Sequence, residues 1–173
     1  MRRISLWTNF FFSGNIIGWK ERFKVTLGMA KGLAYVNHEY LEWVIHCNVK
    51  PENILLEGEF ESKISNFGLA KLFQRDRKNP EFSCIKGTKG YMALEWALNL
   101  PITEKVDVYN YGVVILELVK GIRLSNWVLE DGEEQENELT KFPRDVKRKI
   151  QSEEVAWIED AIDTRLNGEF NRI

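Results

Sequence analysis

Apolar residues recur every three or four positions over residues 19–40, where Phe23, Leu27, Ala30, Leu33 and Ala34, with Leu41 just beyond, predict an amphipathic helix with these side chains on its buried face. Gly28 and Gly32 each cost such a helix about 1 kcal/mol relative to Ala. Their one-turn spacing predicts close approach of another backbone at that point. Short apolar runs follow at Trp43–Ile45, Ile54–Glu57 and residues 63–65, and these read as strands of a hairpin core with a polar loop between the first two. A second helix is predicted in ITEKVDVYNYGVVILELVKG, with Thr103 as N-cap, Glu104 in the first turn, Lys120 in the last and Gly121 as the stop. It is apolar nearly all round, which places it at the centre of the domain and obliges the carboxylate of Asp107 to find a partner. Ser152, Glu153 and Glu154 open a last helix through Val155, Trp157, Ile158, Ala161 and Ile162.

Two segments lack any such rhythm. Residues 66–95 hold three glycines and one proline, and a structureless stretch of that length inside a domain is usually functional. Residues 130–138 hold six acidic side chains, which reads as a solvated loop. The opening MRRISLWTNFFFSGNIIGW imitates a signal peptide, but Thr8, Asn9, Ser13, Gly14 and Asn15 interrupt the apolar run, so a short helix and loop is expected. No stretch approaches the roughly 20 apolar residues of a spanning helix.

A chain of 173 residues with 44% hydrophobic content supports one domain with a core. A net charge of -2 supplies no general attraction for phosphate backbones, so no nucleic acid is expected as a partner. Cys47 and Cys84 are too few for a disulfide framework and read as thiols of a reducing compartment.

The polar loop is the candidate site. Residues 44–56 read VIHCNVKPENILL, with His46, Asn48, Lys50 and Asn53 packed around Pro51 between two apolar runs. His46-Cys47-Asn48-Val49-Lys50-Pro51-Glu52-Asn53 is followed by Asn66-Phe67-Gly68 and then by Ala93-Leu94-Glu95. In that order the three motifs resemble the H-R-D-L-x-x-x-N, D-F-G and A-P-E signatures of eukaryotic protein kinases. WKERFKVTLGMAKGLAYVNHEYLEWVIHCNVKPENILL, KISNFGLAKLF, GTKGYMALEW and KVDVYNYGVVILELVKG look specifically like plant receptor-like serine/threonine kinases of the S-domain, or G-type lectin, class.

The resemblance implies a mostly α, α+β fold: the C-terminal lobe of a protein kinase with a small β-hairpin region and no N-lobe. Residues 1–18 resemble the helix after the kinase hinge, and residues 19–173 a partial C-lobe with its catalytic loop at 46–53. Phosphoryl transfer asks for a carboxylate to orient the attacking hydroxyl and for Mg²⁺ to neutralise phosphate oxygens. By resemblance, position 48 carries that carboxylate and position 66 the main metal ligand. Both are Asn here.

An amide cannot take up the substrate proton at neutral pH, so general-base assistance worth about 10²- to 10⁴-fold is expected to be lost at Asn48. Asn66 is expected to hold metal weakly. The resemblance retains Asn53 as second metal ligand and Lys50 beside the transferring phosphate. His46 is expected to be a hydrogen-bonded scaffold residue, and Asp107 to match the family's buried carboxylate that holds the backbone of the catalytic loop. Lys86, Gly87, Thr88, Tyr91 and Glu95 match the substrate-binding end of the activation segment. Cys47 stands where many kinases carry an Arg that receives an activation-loop phosphate, and Leu94 stands where a Pro is usual.

The implied cofactors are ATP and Mg²⁺, weakly held or not held at all. The expected partners are proteins such as receptor kinases. The isolated chain is expected to be cytoplasmic, and family members are anchored in the plasma membrane with a cytoplasmic kinase domain. Three functional readings follow: an active kinase if completed by an N-lobe, a catalytically inactive kinase-like chain, and a scaffold of receptor-kinase signalling.

Overall fold

The computed structural model describes residues 4–39, 43–73, 88, 90, 91, 93, 102–123, 148, 149, 151 and 161–168. Strand β1 (Ile4–Ser5) leads into a wide helical turn at Trp7–Phe12, where the sequence predicted only a short helix and loop. Helix α1 (Trp19–Ala34) follows, then a wide turn at Tyr35–Glu39 and strand β2 (Trp43–Ile45). A tight 3₁₀ turn at Pro51–Asn53 opens β3 (Ile54–Glu57), and β4 (Glu61–Ile64), a second 3₁₀ turn at Phe67–Leu69 and β5 (Lys71–Phe73) come next. Helix α2 spans Lys105–Lys120.

The strands form two antiparallel sheets, β1-β3-β4 and β2-β5. In the first, Ile4 pairs with Leu56 and Ile54 with Ile64; in the second, Trp43 pairs with Phe73 and Ile45 with Lys71. The expected hairpin is present between β3 and β4 but not across the polar loop. The strands on either side of the polar loop do not pair with each other, and the third strand begins at Glu61 rather than 63 because the reversal at Gly58 and Phe60, both at positive φ, is tighter than the apolar pattern suggested.

The buried face of α1 also differs from the expected one. Arg22, Val25, Met29 and Leu33 are buried, whereas Phe23 is 63% and Leu27 44% exposed. At about 100° per residue, Phe23, Leu27, Ala30 and Ala34 lie roughly a third of a turn around the helix from that seam. The register follows a contact the apolar count does not register: α1 presses its glycines on β4. A methyl group at Gly28 would collide with the Ser62 hydroxyl, and one at Gly32 would sit 3.2 Å from Ile64 Cδ1. Ser62 Oγ instead donates to Val25 O at 2.7 Å. The predicted close approach of another backbone is present at Gly28, where Ser62 O and N lie 3.4 and 3.5 Å from an added Cβ, whereas Gly32 makes room for the Ile64 side chain.

Helix α2 begins two residues after Thr103. Glu104 occupies the N-cap position without a side-chain cap bond, and Thr103 Oγ1 lies 3.4 Å from the Lys105 N–H. The C-terminus is as expected: Gly121, at φ 75°, donates its N–H to Glu117 O at 2.8 Å. The helix is not buried all round, since Val108 is 59% and Tyr109 38% exposed. Its inner face mixes Val106, Val113, Val114 and Leu118 with the buried polar residues Asp107, Asn110 and Glu117. Residues 152–158 of the predicted last helix lie outside the described residues; Arg148, Lys149, Gln151 and Ala161 have helical backbone, and Ile162 lies past it.

Two apolar clusters result. The larger joins Leu6, Phe10, Val25, Met29, Ile54 and Leu118 with Val49; the smaller joins Ile45, Ala93, Ile102 and Val106 with Cys47. Cys47 and Val49 thus anchor the polar loop in different clusters.

Candidate functional site

The loop is held from below by one carboxylate. Asp107, fully buried in the first turn of α2, accepts the N–H of His46 on Oδ2 at 2.7 Å and that of Cys47 on Oδ1 at 2.8 Å. Cys47 is in the left-handed region at φ 60°, a conformation disfavoured for a residue with a Cβ, and the second of these bonds fixes it there. Burial pushes the Asp107 carboxyl up to about 6, against the pull of the two N–H bonds. The His46 ring is fully buried, and burial lowers its pKa, so it stands neutral. Its Nδ1 accepts the Asn48 N–H at 3.2 Å, which leaves Nε2 to donate to Ser65 O at 2.9 Å. Phe67 packs edge-on against the same ring at 4.7 Å.

The sequence-predicted residues gather in two sets above this base. Lys50 Nζ donates to Thr88 Oγ1 at 2.8 Å, and Thr88 Oγ1 donates to Asn48 Oδ1 at 3.0 Å. In the other set, Asn66 Nδ2 donates to Asn53 Oδ1 at 3.1 Å, while Asn53 Nδ2 donates to Asn48 O at 2.8 Å. Ser65 closes this second set by donating N–H and Oγ to Asn53 O at 2.8 and 2.9 Å. Asn66 is itself left-handed at φ 65°, which Asn tolerates better than most residues. Tyr91 is not part of either set: it is buried, and its hydroxyl donates to Glu117 Oε2 at 2.6 Å. Lys86, Gly87, Leu94, Glu95 and Cys84, with the acidic segment 130–138, lie outside the described residues.

This donor set does not fit a divalent cation. Mg²⁺ wants oxygens, carboxylates above all. Here the Asn53 oxygen is turned onto an N–H donor, Asn48 and Asn66 bring no charge, and no group of three or more His, Cys, Asp or Glu among the described residues is arranged to hold a metal ion.

Sequence reasoning missed two further clusters. Arg123 Nη1 pairs with Glu52 Oε1 at 2.5 Å while its guanidinium lies 4.3 Å from the Trp7 ring centroid and 5.6 Å from that of Tyr91. Arg22, 2% exposed, donates to Ile17 O at 2.7 Å, to Leu118 O at 2.6 Å and to Asp163 Oδ2 at 2.6 Å. Arg165 adds a bond to Asp163 Oδ2 at 2.8 Å and one to Gly121 O at 2.6 Å, so two guanidinium groups serve the carbonyl end of α2. Burial raises the Asp163 carboxyl, but the hydrogen bonds from Arg165 and Arg22 outweigh it and hold it at about 2. Partners so distant along the chain leave no periodic signal.

The order of motifs, the carboxylate under the loop and the Lys-Thr-Asn contact define a kinase-type catalytic-loop framework, and residues 8–165 match the protein kinase domain; the chain belongs to that family. Among plant proteins it is 51% identical over 168 residues, 95% of this chain, to the Zea mays receptor protein kinase ZmPK1. It is 42% identical over 92% of its length to the Arabidopsis thaliana G-type lectin S-receptor-like serine/threonine-protein kinase SD2-2. Identity to LECRK4 of the same class in Oryza sativa subsp. indica is 45% over 80% of the chain. These alignments cover 20%, 20% and 17% of the relatives' own lengths, so the chain spans about a fifth of the curated relatives it matches. Among the described residues no helix is long and apolar enough to cross a membrane.

Proposed function

We propose that this chain is a catalytically inactive protein-kinase-like segment that keeps the helical C-lobe framework of a plant receptor-like serine/threonine kinase. The reaction of its lineage is ATP-dependent phosphorylation of Ser or Thr on proteins. The observation that carries the inactive reading is the pair of amides at positions 48 and 66, with the Asn66 NH₂ aimed at the oxygen of Asn53. Asn48 has no basic oxygen to receive the substrate proton, although Lys50 and Thr88 still contact one another and Asn48 as a phosphate-steering set would. His46 does not replace the base, because its ring nitrogens are engaged by the Asn48 N–H and by Ser65 O and its pKa is lowered.

The purified chain incubated with Mg-ATP and a generic protein substrate is expected to incorporate no phosphate above a blank. Stoichiometric turnover would overturn the reading. Changing Asn48→Asp and Asn66→Asp together, with a kinase N-lobe supplied by fusion, is expected to restore transfer; restoration by the lobe alone would show that the amides are not limiting.

The similarity to receptor kinases supports a second role, as a scaffold that meets receptor kinases on the cytoplasmic side of the plasma membrane. Recovery of a receptor kinase with the tagged chain from plant extract is the expected result, and consistent failure to recover one removes this role.

A further inference from the structure

The place where the family puts a cation contains a bond. The catalytic loop and the Asn66-Phe67-Gly68 turn meet at the side chains of Asn53 and Asn66, and the direction of that contact is set by its neighbours. Asn53 Nδ2 is committed to Asn48 O at 2.8 Å, so Asn53 must turn its oxygen outward, and Asn66 must answer with its NH₂ at 3.1 Å. The backbone repeats the link, since Ser65 donates twice to Asn53 O and its own carbonyl accepts from His46 Nε2. An Asp at position 66 brings only acceptors, and two acceptor oxygens facing each other repel unless a cation stands between them.

We propose that the Asn53–Asn66 amide pair is a metal-independent clasp that fixes the loop to the turn, and that Asn66→Asp alone converts it into a cation-dependent link. The proposal rests on the inactive reading but is read without nucleotide or phosphate transfer. Its consequence is that the kinase-like surface formed by loop and turn stays ordered whatever the cellular supply of Mg-ATP.

The test is a thermal melt and a refolding yield for the full chain in EDTA and in millimolar MnCl₂. Wild type is expected to give the same result in both. Asn66→Ala is expected to melt about 2–4 °C lower in both, having lost both the donor and the Asn tolerance of φ 65° without gaining a ligand. Asn66→Asp is expected to melt lower, or refold poorly, in EDTA and to recover in MnCl₂. A wild-type chain stabilised by Mn²⁺ would overturn the proposal, as would an Asn66→Ala chain as stable as wild type. So would an Asn66→Asp chain that behaves alike in the two buffers, whether folded in both or in neither. Phosphate incorporation by the wild type would sink the inactive reading through a different measurement.

Discussion

Two buried polar clusters in this molecule are made of opposite materials. Around the polar loop, Asn48, Asn53 and Asn66 meet through neutral amides, with the carboxylate of Asp107 set underneath and bound to backbone N–H groups. At the carbonyl end of α2, Asp163 stands between the guanidinium groups of Arg22 and Arg165. Charge is kept where Asp163 ties α1 to the end of α2, whereas positions 48 and 66, where the resemblance expects carboxylates, hold amides beside the one ammonium of Lys50. Retained ions hold the frame in one place, and hydrogen bonds of lower consequence hold it in the other. A sequence under demand only for shape needs the Asp163 cluster charged and the amide cluster merely satisfied.

The comparison breaks first at the ionic cluster. Asp163→Ala leaves Arg22 buried against Arg165 with no counter-charge, and the expected loss is about 3–5 kcal/mol in a urea unfolding experiment. A loss below about 1 kcal/mol would mean that water or another carboxylate takes over.

Asp107→Asn probes the other cluster. The amide keeps the shape but offers one acceptor where two N–H donors point, so a loss of about 1–3 kcal/mol is expected, with faster amide exchange at His46 and Cys47.

Acid sharpens the contrast because the two carboxyls have opposite signs. Asp163 titrates in the fold at about 2, below its ordinary 3.8. The stability it supplies is complete above 3.8 and is lost as pH falls toward 2. Asp107 titrates at about 6, above 3.8. Its contribution is complete below 3.8 and is lost as pH rises through 6. The lowered pKa of buried His46 acts against Asp107, removing stability as pH falls below 6.5. Differences between wild type and single variants are therefore the readout: the wild-type minus Asp163→Asn difference should shrink below pH 4, and the wild-type minus Asp107→Asn difference should grow between pH 6 and 4. The smallest effect is expected at the exposed Lys63–Glu57 pair, where Lys63→Ala should change stability by less than about 1 kcal/mol.

What the sequence alone carried is uneven for physical reasons. The Gly28 and Gly32 contact with β4, the Gly121 stop of α2 and the need of Asp107 for partners were readable because each is a local requirement of one residue. The register of α1 was not, because it depends on which face meets β4 and on a buried Arg22 that no hydrophobic pattern would place inside. The pairing of β2 with β5 was hidden for a similar reason: three-residue strands carry too little pattern to choose a partner. At the site, the polar loop marked Asn48, Lys50 and Asn53, and the kinase resemblance added Asn66. The amide at position 66 already argued for weak metal holding, but the direction of each amide came only from the neighbours the fold supplies.

The division of the loop's flanking strands between two sheets has a consequence for biosynthesis. Residues 46–53 cannot take their shape when they first emerge from the ribosome, because β2 waits for Lys71–Phe73 and the His46 and Cys47 amides wait for Asp107. Until that later portion has been made, the nascent loop is an open polar stretch beside an unpaired β2, although β1 is already available to β3. A peptide covering the loop alone would reproduce its letters and none of its geometry.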